Sequence, residues 1–242
     1  MSEFVTVERR ENVAWLGLAA PRSNALTPSF SAELAEAIRA ASADDSCAVI
    51  AILSRSTNFC TGADTGLLDD VAHDALADHS YTALGTIYEL FCVMQDSPIP
   101  IVAGVGGKVL GAGINLALAC DLRVAAADLD VRGFGVAGVH PGGGHLRMLD
   151  RQLAPSWPAA VALFGQQINA GNAVTSGFAL QCVERAKLED AMANIAAAVG
   201  TDPALVRKVT ATYRATQQAP LSAQGAVLLE RSSQLWSLRR RP

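Results

Sequence analysis

The segment Val105-Gly106-Gly107-Lys108-Val109-Leu110-Gly111-Ala112-Gly113-Ile114-Asn115-Leu116-Ala117-Leu118-Ala119-Cys120-Asp121 carries the most explicit chemistry in this chain. An apolar strand runs through small residues straight into the amino end of an apolar helix. Such a junction presents unpaired backbone N–H groups, and the positive end of a helix dipole, to a negative oxygen. Gly111, Ala112 and Gly113 leave the backbone open to close approach by a ligand. Fixed donors aimed at a developing negative charge constitute an oxyanion hole, because they need no reorganisation during reaction. Asn115, one turn further on, can hydrogen-bond a water but cannot accept its proton near neutral pH. His140 and His145 flank the Gly142-Gly143-Gly144 triplet, and each is either a general base or a hydrogen-bonded structural imidazole.

These groups need a framework to hold them. Val5 and Val7 alternate with polar residues and predict a strand, followed by a turn at Arg9–Asn12 and a second strand from Val13 to Leu18. Thr27-Pro28 is a helix start, and Phe30, Leu34, Ile38 and Ala41 recur on one face of the helix that follows. The continuous apolar runs Val49–Leu53 and Ile101–Val105 have the character of buried parallel strands, and Leu122–Ala126 reads as another. Residues 58–66 read as a loop, 82–95 as a helix and 112–119 as the helix that opens at the candidate hole. Strands alternating with helices imply an α/β architecture. Beyond about residue 155, helical patterns dominate at 156–165, 169–177, 187–199, 203–216 and 220–238, with Cys182-Val183 as a short strand between them.

Composition narrows the function classes. The 242 residues are 50 % apolar, enough for one large core. A net charge of −4 argues against nucleic acid as the main partner, and Arg239-Arg240-Arg241 reads as a solvated tail. No stretch approaches the roughly 18–20 apolar residues of a membrane span, and the amino terminus lacks a signal-peptide pattern. Five cysteines (Cys47, Cys60, Cys92, Cys120, Cys182) without a C-x-x-C pair are expected to be reduced thiols of a cytoplasmic protein, and no metal site is expected.

Taken together, the motifs resemble those of the crotonase (enoyl-CoA hydratase/isomerase) superfamily. Pro21-Arg22-Ser23-Asn24-Ala25-Leu26 is similar to its early "NAL" motif, one residue short, and Phe59-Cys60-Thr61-Gly62-Ala63-Asp64 is similar to its "F-x-A-G-A-D" loop. Gly107 to Asp121 resembles "N-G-x-x-x-G-G-G-x-E-L-x-x-x-C-D", and Gly138 to Gly144 resembles the Pro-Gly turn that follows. The resemblance spans nearly the whole chain. It implies a ββα spiral core that binds acyl-CoA over residues 1–185, followed by a helical region over 186–242 that mediates homotrimers or hexamers. It also implies that the amides of Ala63 and Ala112 polarise the thioester carbonyl, and that coenzyme A, bound near Arg22, Ser23, Ala25, Thr61 and Ala63, enters with the substrate rather than as a separate cofactor. Arg22 either meets a CoA phosphate or is a surface arginine. Glu89, Asp69, Asp70, His73 and His79 fall in the segment that shapes the family's acyl pocket.

The sequence departs from the family where protons are handled. Hydratases of the family use two glutamates on one water. The first position is Asn115, and the second is Phe134 or, in the other register, Gly135. General acid–base assistance typically contributes about 10²–10⁴-fold per positioned group, so hydration is expected to be weak. His140 is the substitute base that sequence proximity suggests. A non-catalytic acyl-CoA carrier or sensor is the alternative, as is another thioester reaction: isomerisation, decarboxylation or hydrolysis. Asp64 is expected to cap a helix and Asp121 to tie its turn to a backbone amide. The chain's last helix looks shortened against the family's.

Overall fold

In the computed structural model, which describes residues 3–218 and 222–240, the strands that read as buried apolar runs form one sheet. Strands β1 (Val5–Arg10) and β2 (Val13–Leu18) pair as an antiparallel hairpin. Strands β3 (Val49–Ser54), β4 (Ile101–Val105), β6 (Leu122–Ala126) and β9 (Gln181–Val183) then add in parallel, giving the order β1-β2-β3-β4-β6-β9. Every residue of β2 and β4 is buried, as a parallel strand covered on both faces requires.

A second, three-stranded sheet went unread in the sequence. It comprises β5 (Lys108–Leu110), β7 (Asp130–Arg132) and β8 (Ile168–Asn169), in the order β5-β7-β8. Elements of two or three residues are too short for periodicity to register. The two sheets are joined by a repeated path. The chain leaves β4, turns at Gly106-Gly107 into β5 and enters a helix; it later leaves β6 and turns into β7 and a 3₁₀ turn at Phe134–Ala137. Cys60 bridges in parallel to Val109 and continues the pattern from β3.

Helix α2 (Pro28–Ala43) begins as its sequence dictates, with Thr27 Oγ1 accepting from the Phe30 N–H at 3.2 Å, and buries Phe30, Leu34, Ile38 and Ala41. It packs on α4 (Asp78–Gln95), which starts four residues before the expected 82 and buries Ile87, Leu90, Phe91 and Met94. α3 (Thr65–His73) lies within and beyond the expected 58–66 loop, and it buries no residue. On the opposite face of the large sheet, Leu188, Met192 and Ala196 of α8 (Leu188–Ala197) pack with Val102 and Val124.

The remaining helices are α5 (Ala112–Leu118), α6 (His145–Gln152), α7 (Trp157–Phe164), α9 (Pro203–Gln218) and α10 (Ala223–Leu238). The helix expected over 169–177 is absent: after β8 those residues form successive turns, closed by Asn172 Oδ1 accepting from the Asn169 N–H. Asparagine and glycine at Asn169, Gly171 and Asn172 offer the backbone local partners that compete with a helix. The first residues of the helix expected from 220, and Arg241 of the tail, lie outside the described residues.

The one-turn element α1 (Pro21–Asn24) is left-handed, with φ of 51°, 57° and 59° at Arg22, Ser23 and Asn24. Three non-glycine residues in that region store strain, which the surroundings must hold. Asn24 provides the hold. Fully buried, it accepts from the Ala20 N–H at 2.9 Å and donates to Ser54 Oγ at 2.8 Å and to the Phe59 carbonyl at 2.9 Å. Asn24→Ala strips partners from two buried backbone groups and should cost about 2–4 kcal/mol. Urea unfolding of the two proteins measures this, and a loss under about 1 kcal/mol would remove Asn24 from that role.

Candidate active site

The site begins with two backbone segments meeting. Leu26 and Ala63 form a parallel bridge in which the Gly62 carbonyl accepts from the Leu26 N–H at 2.7 Å and the Asp64 N–H donates to the Leu26 carbonyl at 2.9 Å. Successive peptide groups of an extended chain point to opposite sides, so the Ala63 N–H points away from Leu26. The side it faces is set by Gly62, at φ 91°, where an added Cβ would lie 2.7 Å from the Leu110 carbonyl oxygen and 3.7 Å from the Ala112 nitrogen. Likewise, a Cβ on Gly113 would overlap the Cys60 carbonyl oxygen. Ala112 is the first residue of α5, so its N–H is one of the orphans of a helix start. Neither amide donates to any acceptor among the described residues. The loop that carries Ala63 thus comes up to the start of α5, and both amides are left without an acceptor there.

The carboxyl end of α5 is closed by Arg123. Buried, it donates to the carbonyls of Cys120 at 2.8 Å and Ala117 at 3.4 Å, to Gln152 Oε1 at 3.1 Å and to the Phe178 carbonyl. Burial pulls its pKa down, and its cation complements the negative end of the helix whose positive end lies at Ala112. Nothing in the sequence pattern singled it out, because its role appears only once β6 is beside α5.

The residues assigned to coenzyme A form one patch. Thr61 Oγ1 donates to the Arg22 carbonyl at 2.7 Å, the Thr61 N–H donates to the Ser23 carbonyl at 3.2 Å, and Asn58 Nδ2 donates to Ser23 Oγ at 3.1 Å. Ala25 is buried beneath. The side chain of Arg22 is 65 % exposed and its Nη1 lies 2.9 Å from Asp64 Oδ2. Asp64 also caps α3, its Oδ1 accepting from the Leu67 N–H at 3.2 Å, so the capping role expected of it is present. Asp121 likewise accepts from the Ile101 N–H at 2.8 Å.

The proton-handling positions are where the structure adds most. Asn115 is fully buried, with its Nδ2 donating to the Gly142 carbonyl at 2.8 Å and its Oδ1 lying 2.7 Å from His145 Nδ1. Phe134 sits over Gly111, 4.0 Å from where a Cβ would be, and packs edge-on against the His145 ring at a centroid distance of 4.8 Å. Gly143 lies against Asn115, Tyr88 and Phe91. The structure thus brings Asn115, Phe134 and His145 together near Gly111, at the start of α5. It leaves His140 out of that cluster, exposed, with Nδ1 donating to the Pro141 carbonyl at 2.7 Å. Gly135 is exposed, with nothing near its Cα. Glu89 pairs with Arg39 at the surface, and Asp69, Asp70, His73 and His79 are exposed. Tyr88 was missed in the sequence; half-buried, its phenol is shifted upward by desolvation.

A separate cleft of about 470 Å³ opens at the far end of α5, around Leu118, Arg147, Arg151 and Arg214. Its guanidinium groups are already engaged, by Gln95, by the Gln217 carbonyl, and by Asp121 with the Ser97 carbonyl.

This fold is that of the crotonase superfamily. The model of the Enoyl-CoA hydratase/isomerase family matches residues 8–235, and the chain belongs to that family. It is 35 % identical over 203 residues to a Mycobacterium tuberculosis (strain ATCC 25618 / H37Rv) protein named "Probable enoyl-CoA hydratase EchA14", covering 83 % of this chain and 75 % of that one. It is 34 % identical over 182 residues to the 2,3-dehydroadipyl-CoA hydratase of Escherichia coli (strain K12), covering 73 % and 68 %. A Thermobifida fusca YX structure, solved in complex with acetoacetyl-CoA, superposes with a TM-score of 0.85 at 22 % identity, covering 98 % of this chain and 95 % of that one. No helix among the described residues is long and apolar enough to cross a membrane.

Burial pushes the His145 pKa down from 6.5 to about 4. Above pH 6.5 the ring is neutral folded or unfolded. Below it, the unfolded chain takes up a proton that the folded chain refuses, so stability falls from pH 6.5 towards pH 4, by about 3 kcal/mol in all. Urea unfolding at pH 7 and pH 4.5 should show this loss, and His145→Gln should flatten it. An equal loss in the variant would assign the slope to other groups.

Proposed function

We propose that this chain binds an acyl-CoA thioester with its carbonyl oxygen between the amides of Ala63 and Ala112 and stabilises the enolate that forms there. The observation that carries this reading is the pair of unpaired donors held side by side. Each donor of this kind typically contributes about 2.7–4 kcal/mol to the transition state. The structure from Thermobifida fusca that holds acetoacetyl-CoA supports the ligand class. Arg22, Ser23, Ala25 and Thr61 take the coenzyme A portion, with the exposed guanidinium of Arg22 offered to a phosphate. Coenzyme A arrives with the substrate and no separate cofactor is required.

The reaction class is that of the enoyl-CoA hydratases and isomerases of fatty acid metabolism, with hydration slow. Among the described residues, no carboxylate bonds to Asn115, Phe134 or His145. The same observation favours the second reading, a carrier or sensor that holds acyl-CoA without turnover. We also propose a cytoplasmic homotrimer or hexamer, supported by apolar residues that α9 and α10 leave exposed, among them Val209, Val227 and Leu235.

Calorimetry with butyryl-CoA should show saturable binding. Crotonyl-CoA, followed by loss of its enoyl absorbance, should be hydrated at least about 100-fold more slowly than the median enzyme turnover of about 10 s⁻¹. No binding would end both readings, whereas turnover near the median would show that hydration survives without the glutamates.

A further inference from the structure

We infer that His145 is the proton-transferring group of this site, acting through Nε2, with Asn115 as the residue that positions it. The inference rests on the acyl-CoA reading above and on the orientation of one side-chain amide. Asn115 meets Gly142 at its carbonyl oxygen, so the Asn115 group bonded there is the NH₂, and the amide oxygen then faces His145. An amide oxygen cannot donate, so the proton of the neutral imidazole lies on Nδ1, and Nε2 carries the free lone pair. Nε2 has no partner among the described residues. Among the described residues, the fully enclosed side-chain N and O atoms lacking a partner are Ser31 Oγ and Arg207 Nε, so His145 Nε2 keeps contact with open space, although the residue is only 2 % exposed.

The placement suits transfer to and from an acyl α-carbon. Asn115 lies three residues after Ala112, one turn along α5 on the same face. Phe134 bridges from Gly111, which precedes the donor amide, to the His145 ring. The groups facing the imidazole are the neutral Asn115 amide from α5, the Phe134 ring from the 3₁₀ turn and the Gly142 turn, with the Tyr88 phenol of α4 behind that turn. On its own helix, Arg147 is turned to Gln95, and burial is the one cause of the ring's weakened basicity.

One base and one oxyanion hole suffice for a balanced step. Nε2 takes the proton from Cα of the thioester as the C–H electron pair moves into the carbonyl. The resulting enolate oxygen rests on the Ala63 and Ala112 amides, and the imidazolium then returns a proton to carbon. No oxidant or co-reactant is consumed. In D₂O the returned proton is replaced by solvent deuterium, which makes the step visible even with a saturated acyl chain.

The test is deuterium uptake at Cα of butyryl-CoA in D₂O, read by mass spectrometry, with affinity measured alongside by calorimetry. The wild-type protein should exchange at least tenfold faster than buffer, and His145→Gln should lose about 10²–10⁴-fold of that rate at unchanged affinity. Its rate should be level from pH 5.5 to 8, because the imidazole stays neutral there. Asn115→Asp places a carboxylate against Nδ1, raises the basicity of the ring, and should bring a fall in rate at the acid end of that range. Binding without exchange in the wild type, or exchange unchanged in His145→Gln, overturns the inference while leaving acyl-CoA binding intact. Should His145→Gln fail to bind, the Asn115→Asp pH profile decides, and a profile identical to wild type overturns it.

Discussion

Two backbone segments, separated by some fifty residues, lie against each other here with no side chain between them. The Cys60 carbonyl occupies the space where a Cβ at Gly113 would be, and the Leu110 carbonyl occupies that of Gly62. This contact sets the spacing of the Ala63 and Ala112 amides, and most of the remaining architecture serves it. Asn24 pins the strained turn behind Phe59, and Cys60 Sγ donates to the Asn24 carbonyl at 3.0 Å. Thr61 stitches the same loop to Arg22 and Ser23. From the other side, α5 is fixed by Arg123 at its far end, so the helix cannot slide along its axis without exposing a buried guanidinium.

Asn115 stands at a position where the family resemblance implies a glutamate, and its surroundings suit an amide. A carboxylate in its place could not donate to the Gly142 carbonyl, and two acceptor oxygens would face each other in a buried setting. The amide satisfies both neighbours, one as donor and one as acceptor. Its cost is that Asn115 takes no proton itself; its gain is a His145 ring with a fixed tautomer. In the proposed step the proton is handled by the imidazole that the α5 side chain holds.

The parts of this arrangement that could be read from sequence share a property: they are local. The buried strands announced themselves as apolar runs, the α2 start as Thr27-Pro28, and the start of α5 as small residues at a strand-to-helix junction. The second sheet escaped because β5, β7 and β8 are two or three residues each, stabilised by pairing rather than by their own pattern. The choice between His140 and His145 was equally beyond local reading. Both flank the same glycines, and only the start of α6 at His145, which turns that ring inward while His140 stays in solvent, separates them. Asn169, Gly171 and Asn172 had the composition of a turn, yet the Ala- and Leu-rich surroundings suggested a helix.

Burial weakens His145 as a base, and a negative charge formed beside it works in the opposite direction. In the proposed step an enolate forms at the Ala63 and Ala112 amides while the proton sits on the imidazole, and opposite charges attract strongly in a protein interior. The imidazolium and the enolate therefore stabilise each other as a pair, and the ring gains basicity as the proton transfers. Hydration makes a further demand, since a second group must hold the water at Cβ while the first handles Cα. Phe134, one of the two positions that the family resemblance assigns to that second group, offers no acceptor. A site with one imidazole, two amides and a phenylalanine is equipped to make and unmake an enolate, and lacks what would add water across it.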